Sequence, residues 1–391
     1  MERRSFLRAA TLASAGAVLA PASLARALAT TGPLPCRTPV AGFPYGPLAD
    51  PDGNGIRLPA GFSSRIVATT GQPVGASGYL WHPAPDGGAV LGVPGTNGDY
   101  VYVSNAETLA PLGGGASAIR FRADGEIVDA YRILAGTNIN CAGGATPWGT
   151  WLSGEEIRDG QVWECNPYAP SQGVPRPALG IFTHEAAAVD HVNRVVYLTE
   201  DVPDGRLYRF TPASYPDLSN GRLDVARVVG ETVQWIEVSN GPIGATRPRP
   251  AGSTAFNGGE GIWWAGTGMC FFTTKGDNRV WRLDTRTQRL CVVYDDDAVP
   301  GAALRGVDNV SVSRGNEVLV AEDGDDLQMV VLRAGRVVGP LLRLTGQAGS
   351  ELTGPAFGPL GDRLYFSSQR ALGGQGGVTY EVRGPFRGRV A

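Results

Sequence analysis

Apolar residues fall in short runs along this chain, and each run ends abruptly in acids, amides or a basic residue. YVYVSNAE stops at Glu107, TWLSGEE at Glu156, VVYLTED at Asp201, CFFTTKGDN at Asn278, VLVAEDGDD at Asp326 and LYFSSQR at Arg370. Most are followed by a partner in which apolar and polar positions alternate, as in SAIRFRADG, QVWECNP, GRLYRFTP, NRVWRLDT and LQMVVLRAG. That period of two is the signature of a half-buried strand. Short segments that open on a polar residue precede five of the runs: Cys141 to Trp151, Glu185 to Asp190, Glu260 to Trp264, Asp308 to Ser313 and Glu351 to Phe357.

Measured between Asn105, Glu155, Glu200, Asp277, Glu322 and Gln369, the unit recurs at steps of 50, 45, 77, 45 and 47 residues. Three or four strands repeated about every 45 residues is the period of propeller blades. The pattern therefore predicts an all-β chain, a six-bladed β-propeller forming a single domain over 30–391. No blade buries both faces alone, and radial stacking shields them while leaving only short edges. The long step predicts an insertion over about 217–255, a loop excursion with one added hairpin. Residues 30–60 have no periodicity and are expected as an irregular lead-in along a rim.

Composition agrees with many strands joined by turns: the 391 residues include 56 Gly and 29 Pro, and 42% are hydrophobic. With 34 basic against 37 acidic residues, a net charge of −3 marks no surface for nucleic acid or anionic membrane. Residues 1–29 carry Arg3 and Arg4, an Ala-rich stretch and a small-residue cleavage pattern at Ala27–Leu28–Ala29. They read as a twin-arginine signal peptide, which predicts export of a folded monomer to a periplasm or beyond the cell, with the export machinery as a partner. The apolar stretch is too short to span a bilayer, so no stable membrane insertion is expected. Five cysteines without a CxxC pair indicate neither a disulfide lattice nor a zinc ribbon. Cys270 and Cys291, if on strands two apart, are separated by ~9–10 Å, beyond disulfide reach. Both are expected reduced and in the core.

In a propeller the innermost strands line a central channel, so a polar residue at the same place in each blade lands on one ring. That ring is predicted to hold Cys141, Glu185, Glu260, Asp308 and Glu351, with a second tier of Glu155, Glu156, Glu200, Asp201, Asp277, Glu322 and Asp323. Taken singly, Glu155 and Glu156 read as surface charge. So many carboxylates cannot stay ionised in a small volume without cations. Oxygen donors suit Ca²⁺, and one thiolate among them brings in a transition metal such as iron. No GxSxG, HExxH or Walker A pattern offers a competing catalytic template.

Several stretches carry a resemblance: the leader, NCAGGATPWGTWLSGEE from Asn140 to Glu156, THEAAAVD, YLTEDVPDGRLYRF, FNGGEGIWW, GVDNVSVS, VAEDGDD and ELTGPAF. In this order they resemble the PhoX-type alkaline phosphatases, in particular short members from high-GC bacteria. The resemblance implies a six-bladed propeller whose axial Fe³⁺ and Ca²⁺ serve hydrolysis of phosphomonoesters, small molecules being the substrates. It implies a metal-bound thiolate at Cys141, catalytic with Glu260, and acidic ligands at Glu185, Glu260, Asp308 and Glu322 or Asp323, then Glu200, Asp201 and Glu351. One departure stands out. The larger phosphatases carry an arginine before the acid matching Glu260, where this chain has Asn257, Gly258 and Gly259. Arg247, Lys275 and Arg370 are the candidates to grip phosphate instead. Two alternatives remain: a noncatalytic calcium-binding propeller with an extracellular ligand, and a calcium-dependent lactonase-like hydrolase, which gives Cys141 no role.

Overall fold

The computed structural model describes residues 45–238, 249–298, 304–324, 326–333 and 336–388. All belong to the second of two compact units, which spans 33–391. Residues 1–29, expected as a signal peptide, and Cys36 and Arg247 lie outside the described residues. The described residues are all-β apart from single-turn 3₁₀ segments, and none of their helices is long and apolar enough to cross a membrane.

The strands run as antiparallel meanders. The first is Pro85–Gly92, Tyr100–Ala106, Gly115–Phe121 and Ile127–Ala135; the second is Asn140–Ala145, Trp151–Glu155, Val162–Cys165 and Val174–Pro175. The third is His184–Asp190, Val195–Glu200, Leu207–Ser214 and Asp217–Val229; the fourth is Gly259–Trp264, Met269–Thr274, Arg279–Asp284 and Arg289–Asp295. Val307–Val312, Val318–Glu322, Gln328–Arg333 and Arg336–Leu344 form the fifth, with Ile56–Arg57 added at its outer edge. The sixth joins Leu352–Phe357, Arg363–Ser368 and Val378–Arg383 to Ser63–Thr69, so a strand from early in the chain completes the last sheet.

The first strand of each meander packs on the first strand of the next, and the sixth returns to the first. The hydrophobic clusters show why. Each mixes side chains from successive meanders, as where Val101 and Val103 meet Trp151 and Cys165, or where Leu319 and Met329 meet Leu364 and Phe366. A single meander cannot dehydrate both faces, so the stack closes on itself in a propeller-like ring.

Two expectations are revised. Asp217–Val229 is the fourth strand of the third meander, so the insertion begins later than 217; the added strand is Thr232–Val238. It pairs Thr232 with Arg289 and fuses the third and fourth meanders into one nine-stranded sheet. Cys270 and Cys291 do lie on strands two apart, and Cys270 is a buried free thiol, but Cys291 is disulfide-bonded, to a partner outside the described residues.

Candidate metal centre

Every first strand carries an irregularity at the same place. Pairing with the second strand slips between Pro85 and Gly88, Asn140 and Gly143, His184 and Ala187, Gly259 and Ile262, Val307 and Val310, and Thr353 and Ala356. Such a bulge leaves residues out of the ladder and re-aims their side chains. The first residue released is Asp86, Cys141, Glu185, Glu260 or Asp308, and in the sixth meander Gly354. The second is mostly small: Gly87, Ala142, Ala186 and Gly261, with Asn309 and Pro355. Crowding explains this choice, since a Cβ at Gly87 would stand 2.4 Å from the Ala142 Cα and one at Gly261 would stand 2.7 Å from the Val310 backbone nitrogen.

Side chains of neighbouring meanders latch these bulges in place. Asn105 Nδ2 donates to the Ala142 carbonyl at 2.9 Å and the Cys141 carbonyl at 3.3 Å, while its oxygen accepts from Trp151 Nε1 and Ser153 Oγ, each at 2.9 Å. Thr199 Oγ1 donates to the Glu260 carbonyl at 2.6 Å, and Thr273 Oγ1 donates to that of Asp308. Past the bulges, the same strands line a cavity of about 250 Å³ with Gly88, Gly144, Ala187, Ile262, Val310 and Pro355. The charged side chains are thus gathered at the bulge end.

A second tier comes from the residue that follows each second strand. Ala106, Glu155, Glu200, Thr274 and Glu322 pair opposite the residue before the bulge, and their successors are Glu107, Glu156, Asp201, Lys275 and Asp323. Adjacent residues of an extended chain point to opposite sides, and the two sets part accordingly. Glu155 accepts from the backbone N–H of Asn138 at 3.0 Å and from Trp163 Nε1 at 3.0 Å. Glu200 accepts from Arg206 N at 3.0 Å and from the Arg249 fork at 2.9 and 3.1 Å. Glu322 accepts from the backbone N–H of Arg305 at 2.9 Å and Gln328 at 3.0 Å. These carboxylates fasten loops.

Their successors join the bulge residues instead. Potential ligand atoms lie within 4.8 Å of one another in the sets Cys141–Glu156–Glu185, Glu185–Glu260–Asp308, Asp308–Asp323–Glu351 and Asp86–Glu107–Glu351. Asp201 interacts with Glu156 and Glu260. Two cations enter the cluster. Lys275 Nζ lies 3.0 Å from Glu260, in an ion-pair contact that lacks hydrogen-bond angles, 3.1 Å from Asp323 and 3.2 Å from Asp308. Arg370 pairs with Glu351 and lies 3.5 Å from Glu107. Gln369 Nε2 donates to Asp86 and, at 2.6 Å, to Glu107.

Electrostatics follow from this crowding. Burial, then the Glu260, Glu156, Asp308 and Asp86 carboxylates, push Glu185 well above the usual range. Burial, then Asp86 and Glu185, raise the Cys141 thiol. Burial raises Glu351 to about 8, assisted by Asp323 and Asp308 and opposed by Arg370. Burial pulls the Lys275 ammonium down, but Asp308, Glu260 and Asp323 together outweigh it and hold it above its ordinary value. Glu185 is fully buried and, among the described residues, neither carboxylate oxygen has a hydrogen-bond partner. An oxygen pair held so among acids and a thiol fits a multivalent cation.

Of the residues expected at the site, Cys141, Glu185, Glu260, Asp308, Asp323, Asp201, Lys275 and Arg370 are brought together. Glu351 is there too, but from the turn before its strand; the bulge position is Gly354. Glu200 and Glu322 are corrected to loop anchors, because they occupy the outward position of their acidic pairs. Asp277 bonds Thr274 and Arg279 at the strand end, and the second-tier place falls to Lys275. Glu156, expected in the second tier by the repeat and as surface charge when taken singly, belongs to the cluster. Asp86 and Glu107 join the site without having been expected there. A signal for them exists, since PDGGAV precedes YVYVSNAE as the other polar-headed segments precede their runs.

The PhoX family model, described as alkaline phosphatase PhoX, matches residues 86–371. No curated protein matches the chain. Among solved structures, Pseudomonas fluorescens PhoX in complex with vanadate, a transition state analogue, is similar at 18% identity with a TM-score of 0.71, over 90% of this chain and 100% of that one. A Xanthomonas campestris gluconolactonase aligns at 12% identity with a TM-score of 0.50, over 88% of this chain and 99% of that one. These likenesses establish the propeller-like fold. On the strength of the family match, which runs from the first bulge acid to just past Arg370, the chain belongs to the PhoX alkaline phosphatase family.

Proposed function

We propose that this chain is an exported, metal-dependent phosphomonoesterase on a six-bladed propeller, with an iron and calcium cluster at the bulge end of the axis. The observation that carries it is Glu185, buried without a partner for either oxygen beside a thiol and further carboxylates. A soft sulfur among hard oxygens suits iron, and the remaining all-oxygen sets suit calcium. Cys141, Glu156 and Glu185 would hold the first and Asp86, Glu107 and Glu351 the second, with Glu260, Asp308 and Asp323 between them around Lys275. Such ions neutralise phosphoryl oxygens and raise the acidity of an attacking oxygen when bound.

The protein's own groups supply position and charge. The Asn105 and Thr199 latches fix the backbone of Cys141 and Glu260, so the donors need little rearrangement. Asn257, Gly258 and Gly259 bring no cationic donor ahead of Glu260. Gly258 takes φ +69°, and its carbonyl accepts from the Lys275 N–H at 2.8 Å. Arg370, part-exposed and paired with Glu351, would grip a phosphate, its planar fork matching two phosphoryl oxygens. The vanadate-bound relative supports a phosphoryl substrate. Export rests on the Arg3–Arg4 leader.

The test is hydrolysis of p-nitrophenyl phosphate at alkaline pH by metal-replete protein. Turnover that stops with a chelator and returns with iron and calcium is expected. Metal-replete protein inert toward every phosphomonoester would overturn the proposal and favour the noncatalytic calcium-binding alternative, to which the donor-free stretch 257–259 lends support.

A further inference from the structure

Around the ring the second tier is acidic in four meanders; a neutral amide, Gln369, follows the second strand of the sixth, and a cation stands in the fourth. The residues that follow the second strands are Glu107, Glu156, Asp201 and Asp323 in the first, second, third and fifth meanders, and Lys275 in the fourth. The register is the same in these five, so Lys275 stands where an acid stands in the other four. It changes the local charge by two units relative to its counterparts.

Its surroundings are those of a bound ion. The ammonium lies 3.0–3.2 Å from carboxylates of three separate segments, Glu260 on the fourth meander's bulge, Asp308 on the fifth's and Asp323 at the fifth's second tier. The backbone on both sides of it is fixed: Lys275 N–H donates to the Gly258 carbonyl and Gly276 N–H to the Asn257 carbonyl at 3.0 Å. Lys275 is also the only lysine in a chain that otherwise uses arginine for its basic positions. A compact ammonium is a point charge, whereas a planar guanidinium demands a fork of acceptors. The convergence of three carboxylates on one point is suited to the former.

Resting on the metal-centre reading above, we infer that Lys275 is a built-in cation that takes the place of one metal ion among Glu260, Asp308 and Asp323. The chain then binds one cation fewer than its ring of acids could hold. The remaining ions sit toward Cys141, Glu156 and Glu185 on one side and Asp86, Glu107 and Glu351 on the other. Lys275 in this role is a positioning residue: it neutralises the three carboxylates and keeps them converged.

The experiment compares calcium bound per folded chain in wild type, Lys275→Met and Lys275→Arg, by calorimetric titration of metal-stripped protein with calcium chloride and by elemental analysis after dialysis. Lys275→Met is expected to bind one more equivalent of calcium than wild type, and Lys275→Arg to keep the wild-type number. Without calcium, Lys275→Met should unfold at lower temperature than wild type, and calcium should close that gap. Equal, nonzero calcium content in folded wild type and Lys275→Met overturns the inference and leaves the metal centre standing. No calcium in any of the three overturns both. Should metal-stripped Lys275→Met fail to fold, protein purified with calcium supplies the elemental count, and a count there equal to that of wild type overturns the inference in the same way.

Discussion

Burying a carboxylate without a partner is costly, and the cost is avoided by protonation or by a cation. Glu185 faces that choice, and Glu351, although paired with Arg370, is crowded by Asp323 and Asp308. Glu351 has a pKa raised from 4.5 to about 8. A group whose folded-state value is raised in this way favours the native state fully below the unfolded value. That contribution is lost as pH rises through the folded value. Metal-free protein is therefore expected to lose stability steadily between about pH 4.5 and 8, by a few kcal/mol once the other crowded acids add their share. Calcium and iron should flatten the slope, because bound cations take over from the protons. Urea midpoints at several pH values, with chelator and with metals, check this; a metal-free midpoint that rises with pH over that window would contradict it.

At the scale of the element, the strand's two-residue period divides neighbouring acids into different tasks. Glu322 and Asp323 are adjacent, yet the first holds the backbone N–H groups of Arg305 and Gln328 and the second meets Lys275. Glu322→Ala strands two backbone donors, one of them buried, and is expected to cost about 1–3 kcal/mol in denaturant unfolding while leaving the metal count unchanged. Asp323→Ala should cost under about 1 kcal/mol in metal-free protein and weaken calcium binding. The reverse assignment of effects would mean the strand ends point the other way. This division is hidden from a reading of the sequence. Alternation locates the strands, and the abrupt polar ends locate the acids, but EE and ED pairs look alike until the register says which residue faces in. The bulges are invisible for a related reason: two unpaired residues leave no mark in an apolar pattern, although they re-aim Asp86, Cys141, Glu185, Glu260 and Asp308. Glu351 keeps the apparent repeat because its spacing is nearly right, whereas the bulge in its strand falls at Gly354.

For the whole molecule, the repeat is legible because each meander depends on its neighbours. Tyr100 and Tyr102 of the first meander pack with Tyr365 of the sixth, and Ser63–Thr69 completes the sheet of the sixth. The closing strand itself is not legible, since its alternation is short and it joins a sheet whose other strands come from the far end of the chain. Closure has a functional consequence: donors from segments as distant as Asp86 and Glu351 share one cluster only if the ring is complete. On the proposed function, this convergence makes a mixed cluster in which the thiol selects the transition metal. Elemental analysis of purified wild-type and Cys141→Ala protein tests it most directly. Iron and calcium together in wild type, with iron lost and calcium largely kept in Cys141→Ala, is the predicted result. Iron content unchanged by removal of the sulfur, or calcium alone in active wild-type protein, would contradict it.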